Sequence, residues 1–178
     1  MQEEQNMNDT RVSGNTVEIK QLINFAVGAE EYGLELSRVK EVIRTRQVTW
    51  LPKAPASVKG VINLRGDVIP IVDLRERLGL SAQGQTAASR IIVVEVQGRM
   101  VGMVVDVANQ VVRVPADQFD PPPPILGDVD RAIVSAVGKI GERLVIMIDV
   151  DRLLSAGEME QIKGSLAAAE LEPAVRRS

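Results

Sequence analysis

Short apolar runs separated by turn residues recur along the chain from residue 20 onward. The runs QLINFAV, GVINL and RIIVVEV are rich in Val, Ile and Leu, and Gly or charged residues follow each of them closely. β-Branched runs of this length between Gly-containing turns are typical of strands that pair in hairpins. The pattern therefore predicts a mainly β fold, with helix confined to a few short segments.

The strand pattern occurs twice. Residues 21–33 (QLINFAVGAEEYG) and 90–102 (RIIVVEVQGRMVG) share one order of apolar run, turn and glycine at an offset of 69 residues. Residues 69–78 (IPIVDLRERL) and 145–154 (VIMIDVDRLL) match at an offset of 76 residues. The chain therefore contains a weak internal duplication.

The two halves of the duplication, approximately 18–85 and 86–157, are too short for a β-sandwich. Each supplies about five short strands, which suits a small barrel that closes its own edges. We therefore expect two five-stranded barrels, one from each half, that pack on each other because each core alone is small. The polar residues 1–17 are expected to form a disordered tail, and residues 158–178 a C-terminal helix and a second tail.

Two segments carry helical signals. After Ser37, apolar residues recur at i, i+3 and i+4 in the stretch VKEVI, so we expect a short helix or helical turn with Ser37 as its N-cap. The sequence SAGE at residues 155–158 has the spacing of a capping box, which predicts a closing helix from about 156 to 170. The apolar stripe of that helix comprises Met159, Ile162, Leu166 and Ala169.

Composition narrows the possible chemistry. The 178 residues carry a net charge of -3, 45% are hydrophobic and 2% aromatic, and neither Cys nor His occurs. The usual thiol nucleophile, general base and transition-metal ligands are therefore missing, so we expect no catalysis, no metal and no cofactor. Lys and Arg are scattered rather than gathered into the basic stripe that nucleic acid requires. No run of about 18 apolar residues occurs, and we expect a cytoplasmic protein without membrane insertion.

A charged tripeptide, RGD, interrupts the apolar stretch GVINLRGDVIPIVDLR at residues 60–75. As a hairpin tip, the stretch would use Gly66 for a positive φ, and its charges would keep the turn in water. That interpretation does not account for Asn63, which alternation along a strand places on the same face as Arg65. In the duplication Arg65 matches Gly141, so the barrel does not require this charge. A partner outside the chain is its best explanation.

Three further side chains have two interpretations each. Trp50, the single Trp, either belongs to a core or anchors an interface. Asp73 and Asp149 occupy matching strand ends in the two halves. Their equivalence favours a structural role, in which each carboxylate caps a turn, over a catalytic pair.

The stretches NFAVGAEEYGLELSRVKEVI, LPKAPASVKGVINLRGDVIPIVDLR, RIIVVEVQGRMVGMVVDVANQVV and ERLVIMIDVDRLL resemble the CheW coupling proteins of bacterial chemotaxis, over residues 20–155. The resemblance implies a pair of five-stranded SH3-like barrels. It also implies a non-catalytic adaptor that joins the cytoplasmic hairpin tip of a chemoreceptor, a methyl-accepting chemotaxis protein, to the regulatory domain of a chemotaxis histidine kinase. Such a protein is a monomer or self-associates weakly, forms rings with the kinase, and lies in the cytoplasm at membrane receptor arrays.

The resemblance also implies partner-binding residues, motif by motif. VKEV corresponds to the family segment in which Val and Glu contact a partner, and VKGVINLRG to the segment whose Arg neighbours that Glu. Around Trp50 the chain departs from its relatives, many of which have Thr-Arg before the Pro, so Trp50 is a possible interface residue with a different preference. The implied partner-binding residues are Val39, Glu41, Gly60, Asn63, Arg65, Gly102 and Val111.

Two other classes of protein stay open beside the adaptor. A small β-barrel enzyme or ligand-binding protein would have its site at the barrel junction, with convergent polar groups in a pocket near Asp73 or Asp149. The detached regulatory domain of a kinase gains no support, because the chain has no kinase motif and no linker to one. A close variant of the adaptor serves a pathway for surface motility or development rather than swimming.

Overall fold

The computed structural model describes residues 17–81, 83–124 and 132–170. The expected N-terminal tail lies outside the described residues except for Val17, as do residues 171–178. Helix α1 comprises Leu74–Arg77 and helix α2 comprises Ala156–Glu170. The strands are β1 (Ile19–Val27), β2 (Glu30–Glu35), β3 (Val39–Arg44), β4 (Val58–Leu64), β5 (Asp67–Asp73), β6 (Arg90–Val96), β7 (Arg99–Val105), β8 (Val107–Pro115), β9 (Phe119–Asp120), β10 (Val134–Ile140) and β11 (Arg143–Ile148).

The strands form two sheets, each curled into a small barrel. Barrel A has the strand order β8-β1-β2-β11-β10-β9, and barrel B has the order β3-β6-β7-β5-β4. In both, the chain that leaves one edge strand returns to the far edge: Thr49 bridges Val61 on β4, and β9 pairs with β10. The return covers an edge that would otherwise be open. The prediction of two packed, SH3-like barrels is confirmed.

The assignment of one barrel to each half of the sequence needs correction, because the halves exchange strands. Barrel A combines β1 and β2 with β8 to β11, whereas barrel B is the contiguous run β3 to β7. Barrel B is thus inserted into barrel A, and parallel pairs join the exchanged strands: β2 with β11, and β5 with β7. Halves 18–85 and 86–157 are repeats in sequence, but neither contains all the strands of either barrel.

A shared core holds the two barrels together. Each barrel has a small apolar interior of its own, but the largest cluster of buried residues includes Phe25 from barrel A and Met103 from barrel B, both fully buried. Helix α2 adds Ile162, which is also fully buried. Removal of this apolar surface from water favours the packed pair, since burial contributes roughly 25 cal/mol per Å².

Two ion pairs join the barrels where the chain crosses between them. Arg38, in the turn between β2 and β3, donates two hydrogen bonds to Asp151 beyond β11, at 3.0 and 2.7 Å. Arg75 of α1 donates to Asp106, between β7 and β8, at 2.7 Å, and the same carboxylate oxygen accepts the N–H of Gly28 at 2.7 Å. Each crossover is therefore fixed by one ion pair. The first crossover supplies the cation, Arg38, and the second supplies the anion, Asp106. The sequence analysis missed both pairs because their partners are far apart along the chain.

The segment that follows β2 is a turn and a strand rather than a helix. A single 3₁₀ turn spans Leu36–Arg38, with Glu35 rather than Ser37 in the N-cap position and no side-chain cap bond. From Val39 onward the chain is strand β3, and its residues alternate between half-buried and exposed as they pair with β6. Pairing with a neighbouring strand overrides the helical spacing of three apolar residues.

Helix α2 has the bounds that the capping box predicts. The Ser155 hydroxyl accepts the Glu158 N–H at 3.0 Å, and the Ser155 N–H donates to the Glu158 carboxylate at 2.9 Å. Ser57, just before β4, donates to the same carboxylate at 2.7 Å. Further along the helix, Gln161 and Ser165 both donate to the carbonyl of Lys53, at 3.1 and 2.9 Å. These bonds fix the helix against the loop that leads into barrel B.

Candidate functional site

The tip of the β4–β5 hairpin is a two-residue turn. Arg65 has φ 51° and Gly66 has φ 91°, and Leu64 pairs with Asp67 on either side of them. Two successive positive φ angles are characteristic of the type I′ turn, whose twist suits a hairpin. The side-chain oxygen of Asn63 accepts the Gly66 N–H at 2.9 Å. The polar character of Asn63 is therefore explained by the turn itself.

Arg65 pairs with Glu41 of β3. Its Nη1 donates to Oε1 of Glu41 at 3.0 Å, and its Nη2 donates to Oε2. The Arg65 guanidinium lowers the pKa of Glu41 below its ordinary value, mainly by hydrogen bonding, and Glu41 in turn raises the pKa of Arg65. The Arg65 side chain is 69% exposed and that of Glu41 is 30% exposed. The pair thus connects the two edges of barrel B at its surface, as the resemblance implied for these two positions.

Arg46 adds a second cation that the sequence analysis did not single out. Its Nη1 donates to the backbone carbonyl of Asn63 at 3.2 Å, and its charge also lowers the pKa of Glu41. Within the described residues Arg46 makes no ion pair, whereas Glu41 is already bonded to Arg65. The alternation IRTRQ, which begins in the last two residues of β3, was the available signal, since it places two arginines on one side of an extended chain.

Two of the implied partner-binding residues are buried glycines. Gly60 has φ 148°, and a Cβ there would lie 2.2 Å from the carbonyl oxygen of Thr49. A Cβ at Gly102 would lie 2.7 Å from Ile71 Cδ1 and 2.8 Å from Ile91 Cγ2, inside barrel B. Neither glycine offers a side chain to a partner, so the geometry explains both through close packing.

The remaining two implied residues lie on different barrels. Val39, half-buried at the start of β3, packs against the shared core. Val111 lies on β8 of barrel A, opposite Ile23, and is 50% exposed. The structure therefore brings Glu41, Asn63 and Arg65 together, and Val111 is available on a separate strand.

Trp50 lies on the surface, which decides between the two interpretations of its position. It is 71% exposed and follows Thr49, the residue that bridges to Val61 of β4. Both sequence neighbours of Trp50, Thr49 and Leu51, line an open groove of about 1360 Å³ between the β4–β5 hairpin and helix α2. Trp50 does not belong to a core, and its location is consistent with an interface.

The two aspartates at equivalent strand ends are N-caps: Asp73 caps helix α1, and Asp149 caps a 3₁₀ turn that spans Val150–Arg152. Asp73 accepts the N–H of Arg75 at 3.0 Å, and Asp149 accepts the N–H of Asp151 at 3.0 Å. Burial raises the pKa of Asp73 above its ordinary value, and the bond from Arg75 only partly offsets this effect. The structural interpretation of the pair is confirmed.

A pocket of about 240 Å³ lies beside Asp149. Its volume is below the roughly 300–1,000 Å³ of typical ligand sites. Its charged lining residues are paired already: Lys20 with Glu35 at 3.1 Å, and Arg38 with Asp151. The pocket therefore lacks the convergent, unpaired polar groups that the enzyme alternative needs. In the described part of the chain, no group of three or more acidic side chains is placed to hold a metal ion. No helix there combines the length and apolar character needed to cross a membrane.

The described residues form a small protein of two interlocked barrels. Its bonded charges, Glu41 and Arg65, lie on the surface of barrel B rather than in a pocket. The family model described as CheW-like domain matches residues 21–158, and the chain belongs to this family. Chemotaxis protein CheW of Klebsiella aerogenes is 35% identical over 150 residues, which cover 84% of this chain and 90% of that protein.

Further relatives agree with this assignment. Chemotaxis protein CheW of Rhizobium meliloti is 37% identical over 141 residues, which cover 79% of this chain and 91% of that protein. The crystal structure of the scaffolding protein TtCheW from Thermoanaerobacter tengcongensis superposes with a TM-score of 0.73 at 33% identity, over 79% of this chain and 96% of that chain. Fold and sequence therefore point to one family.

Proposed function

We propose that the protein is a chemotaxis adaptor that joins the cytoplasmic tip of a chemoreceptor to the regulatory domain of a histidine kinase. It catalyses no reaction of its own. It acts in the cytoplasm at membrane receptor arrays, as a monomer or weakly self-associating protein that forms rings with the kinase. Relatives that bear the name chemotaxis protein CheW, and a related scaffolding protein, support this proposal.

The observation that carries the proposal is the bonded pair of Glu41 and Arg65. In the duplication Arg65 corresponds to Gly141 and Glu41 to Gln110, so barrel A has no equivalent pair. Arg65 is mostly exposed, and exposed ion pairs contribute little to stability. A charge pair that the fold does not need supports a role in recognition, since Arg is over-represented among residues that dominate binding at interfaces.

The decisive test is assembly of a ternary complex. The purified full-length protein is combined with an immobilised receptor tip fragment and with the kinase regulatory domain, and each retained species is quantified. The wild-type protein should bridge the two partners. Arg65→Ala should weaken partner binding by roughly 1–3 kcal/mol while the unfolding midpoint stays nearly unchanged.

Barrel A supplies a matched control. Lys139, on the equivalent hairpin, pairs with Asp120 of β9 at 3.2 Å, and both side chains are more than half exposed. Lys139→Ala should leave assembly intact because it removes a surface ion pair from the barrel that lacks the Arg65 site. Equal losses of assembly in Lys139→Ala and Arg65→Ala would contradict the assignment of the site to the β4–β5 hairpin.

A further inference from the structure

The tip of the β4–β5 hairpin extends beyond the backbone bonds that close barrel B. Strands β3 and β4 are the two edges of this barrel, and the chain that follows β3 reaches β4 through an isolated bridge between Thr49 and Val61. The two bonds of the bridge have N–O distances of 2.8 and 2.7 Å. Asn63 lies two residues further toward the tip, which is about 7 Å along the strand. In the described part of the chain, the contacts that reach the tip from the β3 side are made by side chains.

The peptide groups of Asn63 face the opening between the two edges. Leu64 pairs with Asp67 on either side of the turn, and Asn63 lies opposite Val68. Antiparallel strands alternate between pairs that exchange hydrogen bonds and pairs whose N–H and C=O groups point outward. A two-residue turn is closed by a bonded pair, so the peptide groups of Asn63 point away from β5, as those of Val61 do in the bridge. The Asn63 carbonyl is therefore available to the chain that returns from β3.

Arg46 supplies the bond to this carbonyl. Its Nη1 donates to the Asn63 oxygen at 3.2 Å, and Arg46 belongs to the exposed segment between β3 and the bridge. On the other side, the side-chain oxygen of Asn63 accepts the Gly66 N–H at 2.9 Å. Asn63 is thus bonded both to the turn and to the β3 side, so the residue from which the turn starts is fixed across the opening.

The position of the tip determines whether Arg65 reaches Glu41. Arg65 bonds both carboxylate oxygens, and Glu41 belongs to the opposite edge strand, β3. Hydrogen bonds between charged groups are short and directional, so a small movement of the tip away from β3 weakens both of them. The charge of Arg46 also lowers the pKa of Glu41, which places the two arginines around one carboxylate.

We propose that Arg46 is a positioning residue: its bond to the Asn63 carbonyl holds the hairpin tip where Arg65 can bond both oxygens of Glu41. Arg46 acts through Arg65 and needs no contact with a partner of its own. The geometry of the pair does not depend on what the protein does. The effect of Arg46 on partner binding rests on the proposed function.

The first test needs no partner. The pKa of Glu41 is followed by carbon-13 NMR of its carboxyl group in four full-length proteins: wild type, Arg46→Met, Arg65→Ala and the double variant. Arg46→Met should raise the pKa of Glu41 more when Arg65 is present than when it is Ala, because weakened bonds from Arg65 add to the lost charge of Arg46. Equal rises in the two backgrounds would show that Arg46 acts on Glu41 by its charge alone and would overturn the positioning role.

The second test measures binding of the same four proteins to an immobilised receptor tip fragment and to the kinase regulatory domain. For a partner whose binding Arg65→Ala weakens, Arg46→Met should weaken binding about three- to ten-fold. Once Arg65 is Ala, Arg46→Met should change binding by less than about two-fold, since the residue through which it acts is gone. The same loss in both backgrounds would mean that Arg46 contacts the partner itself, which also overturns the positioning role.

Two further variants serve as controls. Arg46→Lys should keep the pKa of Glu41 and the binding close to wild type, because an ammonium group can donate a single bond to a carbonyl and retains the charge. Arg44→Met removes an exposed Arg of β3 whose charge is not among those that shift the pKa of Glu41, and it should change neither quantity. Unfolding midpoints should stay close to wild type throughout, since these side chains are exposed. An equal effect of Arg44→Met and Arg46→Met would indicate a general loss of positive charge and would count against Arg46.

The two tests separate the positioning role from the proposed function. Failure of the wild-type protein to retain either partner contradicts the adaptor function, and normal binding by Arg65→Ala contradicts the assignment of its site. In both cases the NMR measurement still decides whether Arg46 positions Arg65. Normal ternary assembly with equal pKa rises in the two backgrounds leaves the adaptor function standing and removes the role of Arg46.

Discussion

Arg65 occupies a backbone conformation that disfavours its side chain. Its φ of 51° lies in the left-handed region, which costs a residue with a Cβ roughly 1–2 kcal/mol relative to glycine. The equivalent turn of barrel A has Gly141 with φ 63°, where no such cost arises. Strain of this kind at an exposed position is a reason to expect function rather than stability.

Arg65→Asn should therefore separate folding from binding. Asn tolerates the left-handed region and is preferred in this turn, so the free energy of unfolding should stay equal or rise by up to about 1 kcal/mol. Binding to the partners should weaken as it does in Arg65→Ala. Urea unfolding and an affinity measurement on the same preparation check both statements. Arg65→Lys is the control that keeps the charge but loses the two-fold bonding to Glu41, and a stability loss in Arg65→Asn alone would refute the strain argument.

Gly102 shows how a residue can affect binding without contacting a partner. Gly102→Val should lower the free energy of unfolding by about 1–3 kcal/mol, because its side chain would overlap Ile71 and Ile91 in the interior of barrel B. Thermal or urea unfolding measures this loss, with Gly84→Ala as a control at a loop position where a Cβ meets no neighbour. A Gly102→Val protein with wild-type stability and impaired binding would instead restore Gly102 as a contact residue.

The residues of the site were recoverable from the sequence to different degrees. Arg65 stood out because a charge interrupts an apolar hairpin, and its contact with Glu41 followed from the family resemblance. The sequence suggested that Asn63 binds a partner, yet in the structure its side-chain oxygen accepts the Gly66 N–H within the turn. The place of Arg46 depends on how the chain returns to β4, which local pattern does not encode.

At the scale of the elements, the N-terminus of helix α2 contains a carboxylate, Glu158, whose pKa is shifted by the fold. Burial tends to raise the pKa of Glu158, but hydrogen bonds from Ser155 and Ser57, together with the charge of Arg77, lower it below its ordinary value. A carboxylate whose pKa is lower in the folded chain stabilises the fold above its unfolded pKa of about 4.3. That contribution disappears as the pH falls through the lower, folded value.

Glu158→Gln should accordingly have a pH-dependent effect. At pH 7 the free energy of unfolding should fall by about 0.5–1 kcal/mol, because the amide keeps the cap position but loses the charge-assisted bonds. As the pH falls through the lowered pKa of Glu158 in the folded chain, the variant and the wild type should converge, since the wild-type carboxyl becomes protonated. Urea unfolding across this pH range measures the difference. Glu160→Gln, on an exposed position of the same helix, should give no comparable trend, and a constant difference at all pH values for Glu158→Gln would rule out this account.

Secondary structure followed the sequence wherever local chemistry decides it. The capping box and apolar stripe gave α2, and the Gly-containing turns gave the hairpins. The prediction of a short helix or helical turn capped by Ser37 is wrong from Val39 onward, because three apolar residues have helical spacing by coincidence. In the fold, that stretch is strand β3, whose pairing with β6 supplies backbone bonds that a short helix cannot match.

At the scale of the whole molecule, the exchange of strands was hidden by the duplication itself. Strands at equivalent places in the two halves have the same apolar pattern, so the pattern accepts pairing within a half or between halves equally well. The parallel pairs that join β2 to β11 and β5 to β7 are formed between residues far apart along the chain. These pairs, rather than the apolar pattern, distinguish the exchanged arrangement from the simple one.

The exchange predicts how the chain behaves when it is cut. Residues 1–85 and 86–178, made as separate fragments, should each lack cooperative unfolding, because neither contains a complete barrel. When mixed, they should assemble and recover a cooperative transition. Circular dichroism during urea unfolding of each fragment and of the mixture measures this. Cooperative unfolding of residues 1–85 alone would show that one half closes a barrel by itself.

The insertion of barrel B into barrel A also determines the order in which the strands of each barrel leave the ribosome. All strands of barrel B lie between Val39 and Val105, so the ribosome releases them as one continuous stretch. Strands β1 and β2 leave earlier and can pair with each other, but β1 must wait for β8, which ends at Pro115, and β2 for β11, which ends at Ile148. The first strands to leave the ribosome are thus among the last to complete their pairing on both edges, and a chaperone that shields exposed strand edges would be most useful during that interval.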